Sequence, residues 1–240
     1  MTDKSPATVL ANALFAIAVL LLGYSGVRAF IELPFFALRE VWVLGSAQHV
    51  APAELETVIR RELKGNFFTL DLQAAKHAFE KVAWVRSASL SRAWPNTLVV
   101  RLEEQLPLAK WGEDSLINVH GERFSAKADS PLPQFIGPDG TEAEMAKQYR
   151  AFLRLLEPAA LSPAVVRLSE RGAWQLKLSN NLNLELGRED MENRLSRFVE
   201  VYPRFMTLAG ETARDADLRY GNGFTVSREL HLAGRNNESR

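Results

Sequence analysis

The sequence predicts an α+β protein in which a single N-terminal transmembrane helix carries two mixed domains. Three observations predict it: a charge-free apolar run near the N-terminus, an apolar pattern that switches between periods of 3.6 and 2, and turn-forming clusters between the segments. Charge is balanced, with 29 basic and 29 acidic residues, so no chain-wide field exists to gather nucleic acid or anionic head groups. Cysteine is absent from the sequence. That excludes disulfides, thiolate metal sites and cysteine nucleophiles, and suits an oxidising compartment.

No side chain between Lys4 and Arg28 is charged. Residues 7–27 would form a helix of roughly 31 Å at ~1.5 Å per residue, about one bilayer core. A cleaved signal peptide is the rival reading, because Val27-Arg28-Ala29 loosely resembles a small-residue cleavage site. The apolar run exceeds the ~7–15 residues of a signal h-region, and only Lys4 and the α-amino group lead into it. An uncleaved anchor over residues 9–28 is therefore expected, with residues 1–8 as a cytoplasmic head. Lys4 faces Arg28 and Arg39 across the span, so charge barely sets the orientation. A translocated C-terminal body is the commoner arrangement. Asn12 is the one strongly polar side chain in the span, and a single hydrogen bond to a partner helix is worth only ~1 kcal/mol.

The first domain is expected over residues 38–105. Glu40 to Leu44, ended by Gly45-Ser46, reads as a strand. Pro52 suits a first helical turn, Leu55, Val58, Ile59 and Leu63 keep an apolar stripe, and Gly65 stops it. Asp71 is a good N-cap for a second helix with Leu72, Ala75, Ala78, Phe79 and Val82 on one face. The period then changes to 2. Trp84 to Leu90 leads into the turn-forming Ala93-Trp94-Pro95-Asn96, and Leu98, Val100 and Leu102 alternate as in a half-buried strand. The order is β-α-α-β-β.

Val43-Leu44-Gly45, Phe68-Thr69-Leu70-Asp71, Val82-Ala83-Trp84-Val85, Arg92 to Leu98 and Glu104 to Trp111 resemble the successive blocks of a POTRA domain, and more narrowly that of the bacterial cell-division family FtsQ/DivIB. One block would be weak evidence. Five in order after one membrane helix are specific.

The second domain is expected over residues 106–226 as a mixed α+β unit with an antiparallel sheet. Leu116 to Gly121 reads as strand then turn, and Met145, Tyr149, Phe152, Leu153 and Leu156 give a helix over Glu142 to Leu156 closed by Pro158. Trp174, Leu176 and Leu178, then Asn180-Asn181, then Leu182, Leu184 and Leu186 form a hairpin. Met191, Leu195, Phe198 and Tyr202 mark a helix that Pro203 should kink or end. The last ordered element is expected at Ala216 to Val226, with residues 227–240 as a disordered tail. The resemblance continues through Ile117 to Phe124, Pro133 to Pro138, Leu186-Gly187-Arg188, Arg194 to Val199 with Tyr202-Pro203, and Asp217 to Tyr220 with Gly223. It implies a second, β domain, both domains lying in the periplasm of a double-membraned bacterium.

Nothing in the sequence assembles an active site. The 4 histidines (His49, His77, His120 and His231) stand in no H-E-x-x-H arrangement, and there is no G-x-S-x-G, S-x-x-K or phosphate-cradling glycine loop. Glu103-Glu104 and Glu189-Asp190 are sequence neighbours, which diverge on a strand or a helix and read as solvated charge. No cofactor or metal is expected. Two functions remain in view: a scaffold that binds other membrane proteins, and a membrane-anchored cell-wall enzyme such as a peptidoglycan hydrolase.

The resemblance implies the scaffold. In that family the protein joins the FtsB and FtsL pair, is recruited after FtsK through its POTRA region, and brings the synthases FtsW and FtsI under control at the septum. A strand followed only by a polar tail should be a sheet edge, whose free N–H and C=O groups template another chain. Gly221 and Gly223 would let a second backbone approach. The contact is expected around Arg219, Tyr220, Asn222, Gly223 and Phe224, with Arg171 nearby, and the resemblance puts the family's contacting Arg and Tyr at Arg219 and Tyr220 and a second Arg at Arg171. The bland alternative is a capped edge with Arg219 paired to Asp217. Where some family members carry an aromatic residue after the strand, Arg228 and Glu229 stand here.

Overall fold

A computed structural model describes residues 6–45, 48–128, 130–209, 213–220, 223 and 225–228. The chain divides into two compact units, Met1–Gln105 and Leu106–Arg240.

The first unit begins with α1 (Pro6–Ile31). Its stretch Leu10–Ile31 is long and apolar enough to cross a membrane, and none of it is buried in the protein. A core helix would be covered by its own fold, whereas a fully exposed apolar one needs lipid around it. α1 is the one such helix among the described residues, which suggests single-pass anchoring in a membrane. After a short 3-10 turn at Pro34–Phe36 come β1 (Glu40–Leu44), α2 (Pro52–Glu62), α3 (Leu72–Glu80), β2 (Val85–Ala93) and β3 (Thr97–Glu104), the β-α-α-β-β order of the sequence reading. Asp71 caps α3 through its Oδ1, which accepts from the backbone N–H groups of Gln73 (2.9 Å) and Ala74 (3.0 Å). β3 is central, parallel to β1 and antiparallel to β2. Its alternation is plain in burial: Leu98, Val100 and Leu102 are in the core with Phe79, Leu55 and Val85. Trp84 is half-buried, its ring stacked on His49 with centroids 4.4 Å apart.

The second unit is a nine-stranded sheet with helices on one face. Its strands are β4 (Pro107–Trp111), β5 (Ser115–Asn118), β6 (Arg123–Phe124), β7 (Gln134–Ile136), β8 (Pro163–Leu168), β9 (Trp174–Leu178), β10 (Asn183–Gly187), β11 (Ala213–Asp217) and β12 (Thr225–Arg228). They lie in the order β12-β11-β10-β9-β8-β7-β4-β5-β6. The expected sheet was antiparallel; the observed one is mixed, because β7 runs parallel to both β4 and β8, and β11 runs parallel to β10. Each parallel pair is joined by a long connection. α4 (Glu142–Leu156) lies between β7 and β8, and α5 (Met191–Ala209) between β10 and β11. Both helices bury their apolar stripes on the sheet: Met145, Phe152 and Leu156 from α4 and Leu195 and Phe198 from α5 meet Val166, Trp174, Leu176, Leu184 and Ala216.

The expectation for the last strand is corrected, and the one for α5, that Pro203 kinks or ends it, is narrowed: α5 continues through Pro203 to Ala209. Proline leaves one hydrogen bond of the helix unmade and crowds the carbonyl four residues back, but the stripe through Leu195 and Phe198 holds the helix on the sheet. The single strand expected at Ala216 to Val226 is instead two, β11 and β12, paired antiparallel with Asp217 opposite Thr225. Between them the sequence Arg219-Tyr220-Gly221-Asn222-Gly223 has turn composition, which a strand tolerates poorly. β12 also runs to Arg228, past Val226.

Candidate partner-binding edge

Pairing registers bring three separate segments to one end of the large sheet. β8 and β9 meet at Leu168 opposite Trp174, so the turn carrying Arg171 lies at that end. Trp174 faces Gly187 of β10, and Glu185 faces Asp217 of the parallel β11. The backbone N–H of Leu218 donates to the Glu185 carbonyl at 2.9 Å, which continues the ladder one step beyond β11. Leu218 is buried and Tyr220 is 56% exposed. The chain is therefore pinned by one apolar side chain before presenting the next aromatic to solvent.

Gly187 has a reason to be glycine. Its φ is +79°, and a Cβ there would lie 2.9 Å from Arg194 Nη1 and 3.3 Å from Arg219 Cγ. The missing side chain is the space through which Arg219 crosses, while Arg194 donates through Nη1 to the Leu186 carbonyl at 2.7 Å.

Arg219 is committed. Its Nε donates to Asp217 Oδ1 at 2.9 Å and Oδ2 at 3.1 Å, its Nη2 donates to Oδ2 at 2.6 Å, and its backbone N–H donates to Oδ1 at 3.0 Å. The Arg219 side-chain hydrogen bonds, against an opposing partial burial, hold the Asp217 carboxyl below the usual carboxylate range, and the Arg194 charge adds to the effect. The same bonds push Arg219 further up. The bland alternative for this pair is thus what the structure contains.

Of the residues expected to contact a partner, Arg171 lies exposed in the β8–β9 turn, and Arg219, Tyr220 and Gly223 are exposed in the connection between β11 and β12. Asn222 and Phe224 lie outside the described residues. Arg171 has no ion pair among the described residues, and neither does the exposed Arg188 next to Gly187. Arg188 was legible only as part of a family block, since nothing local marks it; the register of β9 against β10 brings it to this end. β12 is the outer strand of the sheet. Thr225 and Ser227 are exposed, Val226 packs on the core, and the far side of this strand presents backbone groups with no strand beside them among the described residues.

Other parts of the unit offer little for catalysis. The open face of the sheet carries a shallow groove lined by Arg167, Lys177, Glu185 and Asp215, among others. Glu185 accepts from Gln175 Nε2 at 3.0 Å and Asp215 from Asn183 Nδ2 at 2.8 Å, so both carboxylates serve as cross-strand ties. Among the described residues no group of three or more His, Cys, Asp or Glu side chains could hold a metal ion.

Comparison with known proteins agrees with this architecture. Residues 36–105 match the family model described as POTRA domain, FtsQ-type, and residues 109–219 match the one described as Cell division protein FtsQ/DivIB, C-terminal. The chain is 43% identical over 223 residues to the Cell division protein FtsQ of Burkholderia pseudomallei, covering 90% of this chain and 89% of that protein. The Nitrosospira multiformis protein of the same name is also 43% identical, covering 90% and 94%. That of Bordetella pertussis is 36% identical, covering 94% and 92%. The POTRA unit, the sheet-rich unit behind it and the apolar helix ahead of both agree with these matches, and the chain belongs to the FtsQ/DivIB family of cell division proteins.

Proposed function

We propose that this protein is a non-enzymatic division scaffold whose outer strand β12, with the adjoining end of the large sheet, receives a short β segment of FtsB within the FtsB/FtsL pair. Its family is one of division proteins, not an enzyme family. The observation that carries the reading is the edge of β12, unpaired among the described residues, with an exposed aromatic, Tyr220, in the adjoining connection and an exposed arginine, Arg171, at the same end of the sheet. Backbone pairing supplies affinity without regard to sequence, while the aromatic and the cation select the partner and its register. Arg171 would donate to a partner carboxylate directly. Arg219 would donate to one only by sharing its N–H groups with Asp217, so its contribution is mainly to shape the edge. Asn222, Gly223 and Phe224 complete the contact in this reading.

The body acts outside the cytoplasm in the same reading, with the N-terminus cytoplasmic, α1 crossing the inner membrane and the chain gathered at the septum. The POTRA unit takes the recruitment step after FtsK, and occupancy of β12 couples the early proteins to the synthases FtsW and FtsI. Photocrosslinkers placed at Thr225 and Ser227 test the edge in dividing cells. A crosslinked product containing FtsB is expected; products that contain other proteins and never FtsB would sink the assignment. A reporter active only outside the cytoplasm, fused after Arg240, should be active, and an active cytoplasmic reporter at that position would reverse the topology.

A further inference from the structure

The first unit carries a second feature that partner binding does not use. Where α1 ends, a chain of aromatic rings continues outward from it. Phe30 on the last turn of α1 lies 5.4 Å from Phe36, Phe36 lies 5.2 Å from Phe35, and Phe35 lies 6.2 Å from Trp94 at the tip of the β2–β3 hairpin. On the other side Phe36 lies 4.9 Å from Phe68. Phe36 is the buried hub at 6% exposure, whereas Phe30, Leu33, Phe35, Phe68 and Trp94 are 58%, 44%, 53%, 46% and 73% exposed. Soluble surfaces seldom gather this much apolar area without a use for it.

The patch is fixed to the helix rather than tethered loosely to it. Asn66 Nδ2 donates to the Ile31 carbonyl at 2.7 Å, satisfying an acceptor at the C-terminal end of α1. The Phe67 N–H donates to the Phe36 carbonyl at 2.9 Å, and Ala37 forms an isolated antiparallel bridge with Asn66. The apolar stretch Leu10–Ile31 has 22 residues, about 33 Å of helix against ~30 Å of hydrocarbon. Ile31 therefore leaves the bilayer at head-group level, and Leu33, Phe35, Phe68 and Trp94 follow immediately. Charge sits at the same level: Arg28 pairs with Glu32 at 2.9 Å, and the exposed Arg39 donates its backbone N–H to the Asn96 carbonyl beside the hairpin tip. Aromatic rings interleaved with such charge are the composition of a membrane–water interface.

We infer that the base of the POTRA unit, through Leu33, Phe35, Phe68 and Trp94, rests in the phospholipid head-group interface of the membrane that α1 spans. The inference relies on α1 being a membrane span. Its consequence is a defined height and tilt for the POTRA unit above the bilayer, because the helix end and the hairpin tip are two separate supports.

The test uses the full chain in nanodiscs of phosphatidylethanolamine and phosphatidylglycerol, with and without acyl-brominated lipid. Subtracting the emission of Trp94→Ser from that of the parent isolates Trp94 from the other tryptophans. Its emission should be blue-shifted and lose at least half its intensity in brominated lipid. As a second measurement, a nitroxide on Asn96→Cys, in a chain otherwise free of cysteine, should collide more with oxygen than with a water-soluble nickel complex. Chain retained in the disc after an alkaline wash, with Trp94 unquenched and the nitroxide open to nickel, overturns the inference alone and leaves a protein as the cover of the patch. Chain washed out of the disc overturns the membrane span and the inference together.

Discussion

At the scale of single residues, the chemistry of the candidate edge turns on which arginines are already occupied. Asp217 is held as a carboxylate by Arg219, and its folded-state value lies below its unfolded one. Such a group stabilises the fold at pH values above the unfolded carboxylate range and loses that contribution as pH falls through the folded value. The stability difference between the parent and Asp217→Asn should therefore be largest near neutral pH and shrink on acidification, read from urea midpoints at successive pH values. A difference that stays constant across that range would mean the pair does no work in the fold. The same logic separates the arginines in binding. Arg171→Glu should weaken partner binding chiefly through charge, with an effect that shrinks as salt rises, whereas Arg219→Glu also places two carboxylates together and should lower stability. The Arg219 to Asp217 spacing was readable in the sequence, but their pairing competes with a partner's carboxylate, and only coordinates tell which acid is closer. Gly187 as the gap that Arg219 crosses had no local signal at all, since it depends on β10 and β11 lying side by side.

At the scale of elements, most of the fold was legible wherever a periodic stripe met a terminator. α4 begins after Thr141 and ends before Pro158 as read, and the β9–β10 hairpin turns at Asn181, whose φ is +67°. The capping of α3 gives a direct check. Asp71→Ala should cost about 1 kcal/mol, measured by chemical denaturation, because two backbone N–H groups lose their acceptor. Phe198→Ala, in a fully buried position on α5, should cost about 3–5 kcal/mol. Trp84→Ala should cost less than Phe198→Ala, since the Trp84 ring is only half-buried against His49; the reverse order would show that the two core assignments are misjudged. The elements misread were the last ones. Alternating apolar residues on either side of Gly221 and Gly223 look like one strand, and the break shows only when β11 is seen to need a partner on its far side. The mixed character of the sheet was also hidden, because strand direction is set by long connections such as α4 and α5, and not by the strands' own residues.

At the scale of the whole molecule, a protein of a division family carries an apolar helix long enough to cross a membrane, a POTRA unit, and a sheet whose outer strand β12 has an unpaired edge among the described residues. In the proposed function, β12 and its neighbouring loop bind a β segment of FtsB. The most direct measurement is the affinity of an FtsB periplasmic segment for the full chain in detergent, comparing the parent with Tyr220→Ala and Arg171→Glu, each checked for folding by circular dichroism. Removing an exposed aromatic anchor or an unpaired arginine from a shielded contact should cost on the order of 1.5–3 kcal/mol, a weakening of roughly tenfold or more. Binding by both folded variants within twofold of the parent would place the partner elsewhere on the protein and contradict the account.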